Sequence, residues 1–177
     1  MVDNELEVRI LQKKNTLFLG IAALVILLDQ LTKGWIIATM RLHDAYPVID
    51  GFFNIIYVRN PGAAFGFLAG ASPVFRSVFF LAVTLAAIFL ILHYLRQTKI
   101  EEITLVLSLA LILAGAVGNL IDRVRFGEVV DFLDVYVGTY HWPAFNVADA
   151  AITTGAALLV ILLLGKRKEK TDEGTRL

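Results

Sequence analysis

The sequence predicts an all-α polytopic membrane protein with four transmembrane helices, a small extracytoplasmic β-sheet and a short extracytoplasmic helix. Of its 177 residues, 58% are hydrophobic and only 18% are charged, whereas soluble domains are nearer half apolar and a quarter charged. The mean hydropathy is +0.72. Four separate apolar stretches approach the ~20 residues that a helix needs to cross a hydrocarbon core of ~30 Å. We therefore expect residues 1–177 to form a single membrane-embedded domain.

The first apolar stretch raises the question of a cleavable signal peptide, because Lys13 and Lys14 precede it. Its apolar run continues through DQLTKGWIIATM without a clear small-x-small cleavage site, which indicates a retained span. The predicted spans are about 17–40, 74–95, 103–121 and 144–165. Charged tails flank them at 1–16 and 166–177.

Basic residues are distributed unequally between the two sides of the predicted helices. Ten lie in the two tails and in the short connection at 96–102, whereas the other two connections carry Arg41, Arg59, Arg123 and Arg125. Cytoplasmic flanks are the ones enriched in lysine and arginine. We therefore predict a multi-pass protein with both termini in the cytoplasm and with residues 41–73 and 123–143 on the outer side.

The two outer connections have strand-like sequences. HDAYPVIDGFFNIIYVRN and VVDFLDVYV are rich in β-branched and aromatic residues and are bounded by turn formers. Between them in the chain, NPGAAFGFLAGASP is rich in glycine and alanine. These patterns predict a small sheet, and a short helix after Pro61, resting on the outer membrane face.

Composition also excludes several classes of function. Sixteen basic and sixteen acidic residues leave a formal net charge of zero, so no basic excess attracts nucleic acid. The absence of cysteine removes disulfides, thiolate metal sites and cysteine nucleophiles. His43, His93 and His141 do not stand at metal-ligand spacings. We expect neither a metal nor another cofactor.

Asp29 and Lys33 lie within the first predicted span. Ionisable groups at the centre of a span cost on the order of 2.5–3.5 kcal/mol each on insertion scales, so those that persist usually pair or act. The two residues are four apart, acid before base, and therefore share a helix face in the order that favours an ion pair. A structural pair is the favoured interpretation, and direct contact with a substrate is the alternative.

Polar residues also mark the outer ends of the other spans. For Asp122 and Arg123, a salt bridge, a helix-end anchor or snorkelling to lipid headgroups explains the charges. Asn60, Asn119 and Asn146 are primary amides near the membrane boundary, where each needs hydrogen-bond partners.

Two acids lie where a membrane chain ordinarily avoids them. Asp149, in FNVADAAITTG, has apolar or small neighbours and no basic residue within a helical turn, so we expect it to be desolvated and to tend to bind a proton. If the loop that contains Asp131 folds over the fourth span, the two carboxyls meet. Such a pair shares a proton, which is the basis of aspartic peptidase chemistry. Composition alone favours a solvated loop acid at Asp131 and surface positions for Asp44, Asp50, Glu128 and Asp134.

Five sequence blocks occur in a specific order between residues 29 and 149. The blocks are DQLTK at 29–33, NPGAAFG at 60–66, GNLIDR at 118–123, VVDF at 129–132 and FNVAD at 145–149. In these blocks and in its four-span layout the chain closely resembles the lipoprotein signal peptidases, the bacterial signal peptidase II family.

The resemblance implies a membrane aspartic endopeptidase of the bacterial cytoplasmic (inner) membrane. Such an enzyme removes signal peptides from diacylglyceryl-modified prolipoproteins, cutting immediately before the lipid-modified cysteine. Its partners are that substrate, membrane lipid and globomycin-type inhibitors, and it requires no metal. Asp131 and Asp149 match the catalytic dyad of the family. Positions that support the site or meet the substrate are matched by Asp29, Lys33, Asn60, Gly62, Asn119, Asp122, Arg123 and Asn146.

Two other functions stay open on the residues alone. Intramembrane acids also serve in proton-coupled transporters, although no acidic chain continues to the inner side and no inverted repeat is evident. A non-catalytic assembly subunit is the third hypothesis. For a peptidase, we expect the active site at the outer face, acyl chains that enter laterally from lipid, and a mobile segment after Asn60, within 60–72, that gates access.

Overall fold

The computed structural model describes residues 2–62, 68, 70–98 and 102–174. Within these ranges, side chains are described for residues from 9 to 165. Within these ranges, four helices are long and apolar enough to cross a membrane. A small antiparallel sheet lies in the connections between the first and second helices and between the third and fourth helices. The predicted fold class is therefore confirmed. The elements are α1 (Val2–Thr39), β1 (Ala45–Ile49), β2 (Phe53–Asn60), α2 (Pro73–Gln97), α3 (Ile103–Phe126), β3 (Val129–Val137), β4 (Tyr140–His141) and α4 (Val147–Gly174).

The helix ends differ from the predicted bounds for local reasons. Helix α1 begins at Val2, so the described part of the segment 1–16 is helical and continuous with the first span. Helix α3 continues past 121 to Phe126 and ends where Gly127 adopts a left-handed conformation, φ 76°. Helix α4 begins at Val147 rather than at 144. Residues 63–67 and 69, where the short helix after Pro61 is predicted, lie outside the described residues, as do these same six positions of the predicted gating segment 60–72.

The sheet is built from the α1–α2 and α3–α4 connections. Among the described strands the order is β1-β2-β3-β4, and each pair of neighbours is antiparallel. Because one connection joins α1 to α2 and the other joins α3 to α4, the sheet lies at one end of the helix bundle. Val58 faces Asp131 and Asn60 faces Val129, after a register shift in β2. This register brings the end of β2 beside the start of β3.

Helix α3 is the central helix and contacts α1, α2 and α4. The half of α3 farther from the sheet packs around Val106 and Ala110, which are fully buried. At the other end of the bundle, Ile36 of α1 packs with Val130 and Phe132 of β3. The sheet is therefore fixed to the helices by apolar contacts as well as by chain connections.

Lys14 is buried, although it lies in the basic flank before the first span. Its Nζ donates to the carbonyl oxygens of Leu95, at 2.8 Å, and of Thr98, at 2.9 Å. These carbonyls are at the C-terminus of α2, where the helix dipole favours a cation. Lys14 thus ties α1 to α2 at the end of the bundle opposite the sheet.

Helices α3 and α4 approach each other closely at Gly115. A Cβ at this position would overlap Ala148 O and would lie 2.6 Å from Ile152 Cγ1. We expect Gly115→Ala to force α4 away from α3 and to lower the free energy of unfolding by about 1–3 kcal/mol. Thermal unfolding in detergent measures the loss. Gly20→Ala is the control, because a Cβ there meets nothing within 4 Å; equal stability of the two variants would contradict the close approach.

Candidate active site

A buried ion cluster occupies the half of the bundle nearer the sheet. The predicted pair of Asp29 and Lys33 is confirmed, with Lys33 Nζ 2.9 Å from Asp29 Oδ2. The same Nζ lies 3.0 Å from Asp122 Oδ2 and 3.0 Å from Asn119 Oδ1. The two carboxylates and the ammonium group are almost completely buried. One cation therefore pairs with two carboxylates, and its third N–H group donates to Asn119.

The carboxylates of this cluster also bind backbone amides next to the two candidate catalytic acids. Ala148 N donates to Asp29 Oδ1 at 2.9 Å, and Val130 N donates to Asp122 Oδ2 at 3.0 Å. Ala148 immediately precedes Asp149, and Val130 immediately precedes Asp131. The cluster thus fixes the start of α4 and the start of β3 relative to α1 and α3.

Asn119 and Asn146 connect Asp131 with Asp149. Asn146 Nδ2 donates to Asp131 Oδ1 at 2.7 Å and to Asn119 Oδ1 at 3.2 Å. Asn119 Nδ2 donates to Asp149 Oδ1 at 2.7 Å, and Asp149 N donates to Asn146 Oδ1 at 2.9 Å. The two acids therefore belong to one hydrogen-bond network, which continues through Asn119 to Lys33.

Asn60 and Gly62 join this network from the end of β2. Asn60 Nδ2 donates to Asp131 Oδ2 at 2.9 Å, and Gly62 N donates to Asn60 Oδ1 at 3.0 Å. Both oxygens of Asp131 thus accept hydrogen bonds from amide side chains. All three asparagines that the sequence singled out have found partners.

Asp131 is 1% exposed, so the expectation of a solvated loop acid is wrong. The β3 strand packs on the helices and carries the side chain inward. Burial raises the pKa of Asp131 from 3.8 to about 7, and the negative charge of Asp149 contributes to this rise. Hydrogen bonds from Asn60 and Asn146 act in the opposite direction. Asp131 is therefore poised to exchange a proton near neutral pH.

Asp149 is the third residue of α4 and is half-buried. It has no basic neighbour in its own helix, but Asn119 and the charge of Lys33 act on it from other helices. Among the described residues, no donor binds its second oxygen, Oδ2. Asp149 lines a large cavity and keeps this oxygen without a donor from the described residues.

This cavity lies between α2, α3 and α4 and has a volume of about 790 Å³. One side is polar and includes Asn60, Asn119 and Asp149, and the remainder is mostly apolar, with residues such as Val83 and Ile112. An apolar cavity with a few convergent polar groups is the usual form of a ligand site.

Arg123 lies at the polar side of the cavity and does not snorkel away from it. Its Nη2 donates to Gly62 O at 3.0 Å, and its Cζ lies 4.1 Å from the centroid of the Phe80 ring. The guanidinium group therefore holds the end of β2 against α2 and α3.

Two polar residues have roles that the sequence did not indicate. Gln30 was quoted in the first block without a role, yet its Nε2 contacts Asp29 Oδ2 at 3.1 Å and Asp122 Oδ1 at 3.3 Å. Asp134 is buried rather than at the surface, and Asn54 Nδ2 and His141 Nδ1 bind its carboxylate, each at 2.8 Å. The role of Gln30 could have been predicted from its position beside Asp29 in an apolar span. No sequence feature indicated that Asp134 is buried.

Comparison with known proteins identifies one family along most of the chain. The family model described as "Signal peptidase (SPase) II" matches residues 21–165. A "Lipoprotein signal peptidase" of Syntrophus aciditrophicus (strain SB) is 58% identical over 161 residues, which are 91% of this chain and 100% of the relative. One of Syntrophotalea carbinolica is 50% identical over 145 residues, which are 82% of this chain and 89% of the relative.

The fold is also similar to solved structures. One, described as "Bacterial membrane enzyme structure by the in meso method at 2.3 A resolution", has a TM-score of 0.79 and 37% identity over 86% of this chain and 90% of its own. A second bacterial membrane enzyme, at 1.9 Å, has a TM-score of 0.73 and 38% identity over 83% and 92%. The transporter hypothesis gains no support from these relatives. The chain is a multi-pass membrane protein and belongs to the signal peptidase II family.

Proposed function

We propose that this protein is an aspartic endopeptidase that removes the signal peptide from diacylglyceryl-modified prolipoproteins, cutting immediately before the lipid-modified cysteine. One observation carries the proposal. Asp131 of β3 and Asp149 of α4 share a single amide network, and that network borders an apolar cavity. Relatives along almost the whole chain are named lipoprotein signal peptidases, which supports the substrate class.

The acid pair works with a single shared proton. The ionised carboxylate takes a proton from a water molecule, whose oxygen attacks the scissile carbonyl carbon, while the protonated acid donates its proton to the carbonyl oxygen. The tetrahedral intermediate then collapses: the peptide C–N bond breaks, the amide nitrogen receives a proton, and the pair again holds one proton. The free Oδ2 of Asp149 is the oxygen that meets the water, because Asp131 already accepts amide hydrogen bonds on both oxygens.

The surrounding groups bind and orient the substrate. Asn60 and Arg123 bring N–H donors to the polar side of the cavity, where the carbonyl oxygens of an extended peptide would be bound. The apolar part between α2 and α4 suits the acyl chains and the apolar signal peptide, which enter laterally from the lipid. Globomycin-type inhibitors occupy the same cavity.

The site belongs at the outer face of the bacterial cytoplasmic membrane, with both termini in the cytoplasm. The excess of basic residues in the tails and at 96–102 supports this orientation. The sheet and the two acids lie at the opposite end of the bundle from the α2–α3 connection. At that end the scissile bond meets water while the lipid part of the substrate stays in the bilayer.

The test uses the purified full chain in detergent with a synthetic prolipoprotein peptide that carries a diacylglyceryl cysteine. We expect mass spectrometry to show a single cut before that cysteine, inhibition by globomycin, and no cleavage of the same peptide without lipid. Absence of cleavage by the pure protein would contradict the proposal and would favour a non-catalytic subunit.

The pH dependence of cleavage follows from Asp131. Its proton is bound below pH 7 and lost above it, since its pKa is raised to about 7. We expect kcat/KM to fall about tenfold per pH unit on the alkaline side. Asn60→Ala removes a hydrogen bond that lowers this pKa, so the alkaline limb of its profile is expected to move to higher pH. A limb that stays in place would assign this titration to another group.

A further inference from the structure

Two arginine side chains at the sheet end of α3 lie against one aromatic ring. The Cζ of Arg59 is 4.4 Å from the centroid of the Phe126 ring, and the Cζ of Arg125 is 4.8 Å from the same centroid. Arg59 also donates to Tyr57 Oη through Nε and Nη2. The ring faces attract both cations, so two positive charges are held close together.

Neither guanidinium group is neutralised within the described part of the chain. The ion pairs formed there join Lys33 to Asp29 and Asp122, and His141 to Asp134. Arg125 is exposed and Arg59 is half-buried, so both remain accessible to an anion. Two neighbouring cations without a carboxylate partner therefore favour a negatively charged ligand.

A groove of about 260 Å³ leads from Arg125 along the side of the bundle. Its walls are Gly34, Ile37 and Ala38 of α1 and Asp122, Arg125 and Phe126 of α3. Gly34 and Ala38 are exposed, and a Cβ built on Gly34 meets nothing within 4 Å. The groove is thus open along the exposed face of α1. It shares no lining residue with the large cavity between α2, α3 and α4.

The groove and the neighbouring Arg59 together form what we call the arginine groove. We propose that the arginine groove binds one anionic phospholipid of the surrounding membrane. The phosphodiester accepts hydrogen bonds from Arg59 and Arg125, whose planar groups match phosphate oxygens. An acyl chain lies along Gly34 and Ala38. Basic pockets between transmembrane helices on the cytoplasmic side of membranes bind lipid headgroups, and the arginine groove offers the same combination of an unneutralised basic end and an adjoining apolar wall at the sheet end of the bundle.

A lipid in the arginine groove would also cover part of the buried ion cluster. Gln30, Lys33 and Asp122 contribute to the lining of the groove. An acyl chain there replaces water beside the cluster, which strengthens its electrostatic interactions. We therefore expect the bound lipid to stabilise the fold. The lipid does not enter the cavity that is lined by Asp149.

Native mass spectrometry of the purified full chain tests the proposal with dioleoyl phosphatidylglycerol as the probe. We expect the wild type to retain one molecule and to bind dioleoyl phosphatidylcholine more weakly. The double variant Arg59→Gln/Arg125→Gln should bind phosphatidylglycerol about 30-fold more weakly, on the scale of two cationic contacts with an anionic lipid surface. Gly34→Leu should also lose the lipid, because it fills the groove while leaving both charges in place.

Matched controls separate the arginine groove from general effects. Arg41→Gln removes an exposed arginine from another part of the outer connection, and Gly20→Leu adds the same bulk to an exposed glycine on the same helix; both should bind like the wild type. If the double variant fails to fold, Arg125→Gln and Gly34→Leu carry the test, since both positions are exposed. Undiminished binding by these variants would overturn the proposal, as would displacement of the lipid by soluble glycerol 3-phosphate at equal concentration.

Discussion

Replacing either Asp131 or Asp149 with asparagine is expected to lower cleavage of a diacylglyceryl-modified prolipoprotein peptide by ~10²–10⁴-fold, the range for loss of a general acid or base. Asparagine preserves the shape of the side chain but can neither take a proton from water nor supply one to the carbonyl oxygen. The measurement is kcat/KM of the purified variants in detergent, with helix content measured in parallel.

The matched control for these variants is Asp134→Asn. Asp134 is a buried acid of the same strand, three residues beyond Asp131, but its partners are Asn54 and His141. We expect this variant to cleave at nearly the wild-type rate. Wild-type cleavage by Asp131→Asn or Asp149→Asn would refute the proposed dyad. An equal loss in Asp134→Asn would show that any buried acid of β3 is needed for the fold.

Replacing Lys33 with methionine is expected to cause the largest loss of stability among the variants considered. The change leaves Asp29 and Asp122 buried without their cation, and removing one partner of a buried ion pair typically costs about 3–5 kcal/mol. Thermal unfolding in detergent measures this loss. Cleavage should fall as well, because the two carboxylates hold the backbone beside Asp131 and Asp149.

Two further variants test the electrostatic reason for that loss. Lys13→Met removes an exposed lysine from the same helix and should leave stability unchanged. In the triple variant Asp29→Asn/Lys33→Met/Asp122→Asn no buried charge is left uncompensated, so part of the stability should return. A triple variant less stable than Lys33→Met would assign the loss to packing rather than to charge.

The fold could be predicted because hydropathy and strand alternation are local properties of the chain. Apolar runs of about 20 residues gave the spans, and VVDFLDVYV gave β3. The helix ends were less accessible to prediction. Helix α3 crosses the polar block GNLIDR and stops only at Gly127, where the backbone turns left-handed.

The sequence blocks predicted which residues form the candidate site, but they did not predict which of these residues contact each other. The i,i+4 spacing predicted the pair of Asp29 and Lys33. Nothing in the sequence shows that Lys33 also binds Asp122, because that contact depends on how α1 and α3 pack. The hydropathy of a transmembrane helix does not show which of its faces packs on other helices, since residues that face lipid and residues that face protein are equally hydrophobic. The burial of Asp134 likewise depends on strand pairing.

The contacts of Asp29 with Ala148 and of Asp122 with Val130 have a consequence for biosynthesis. The first span leaves the ribosome long before the last, and the acid pair is incomplete until α4 has been inserted and docked on the bundle. In the proposed mechanism, the nascent chain therefore carries only one of its two catalytic acids in place while its own apolar segments are entering the bilayer. That mechanism predicts that proteolytic activity arises only when the first and last helices meet.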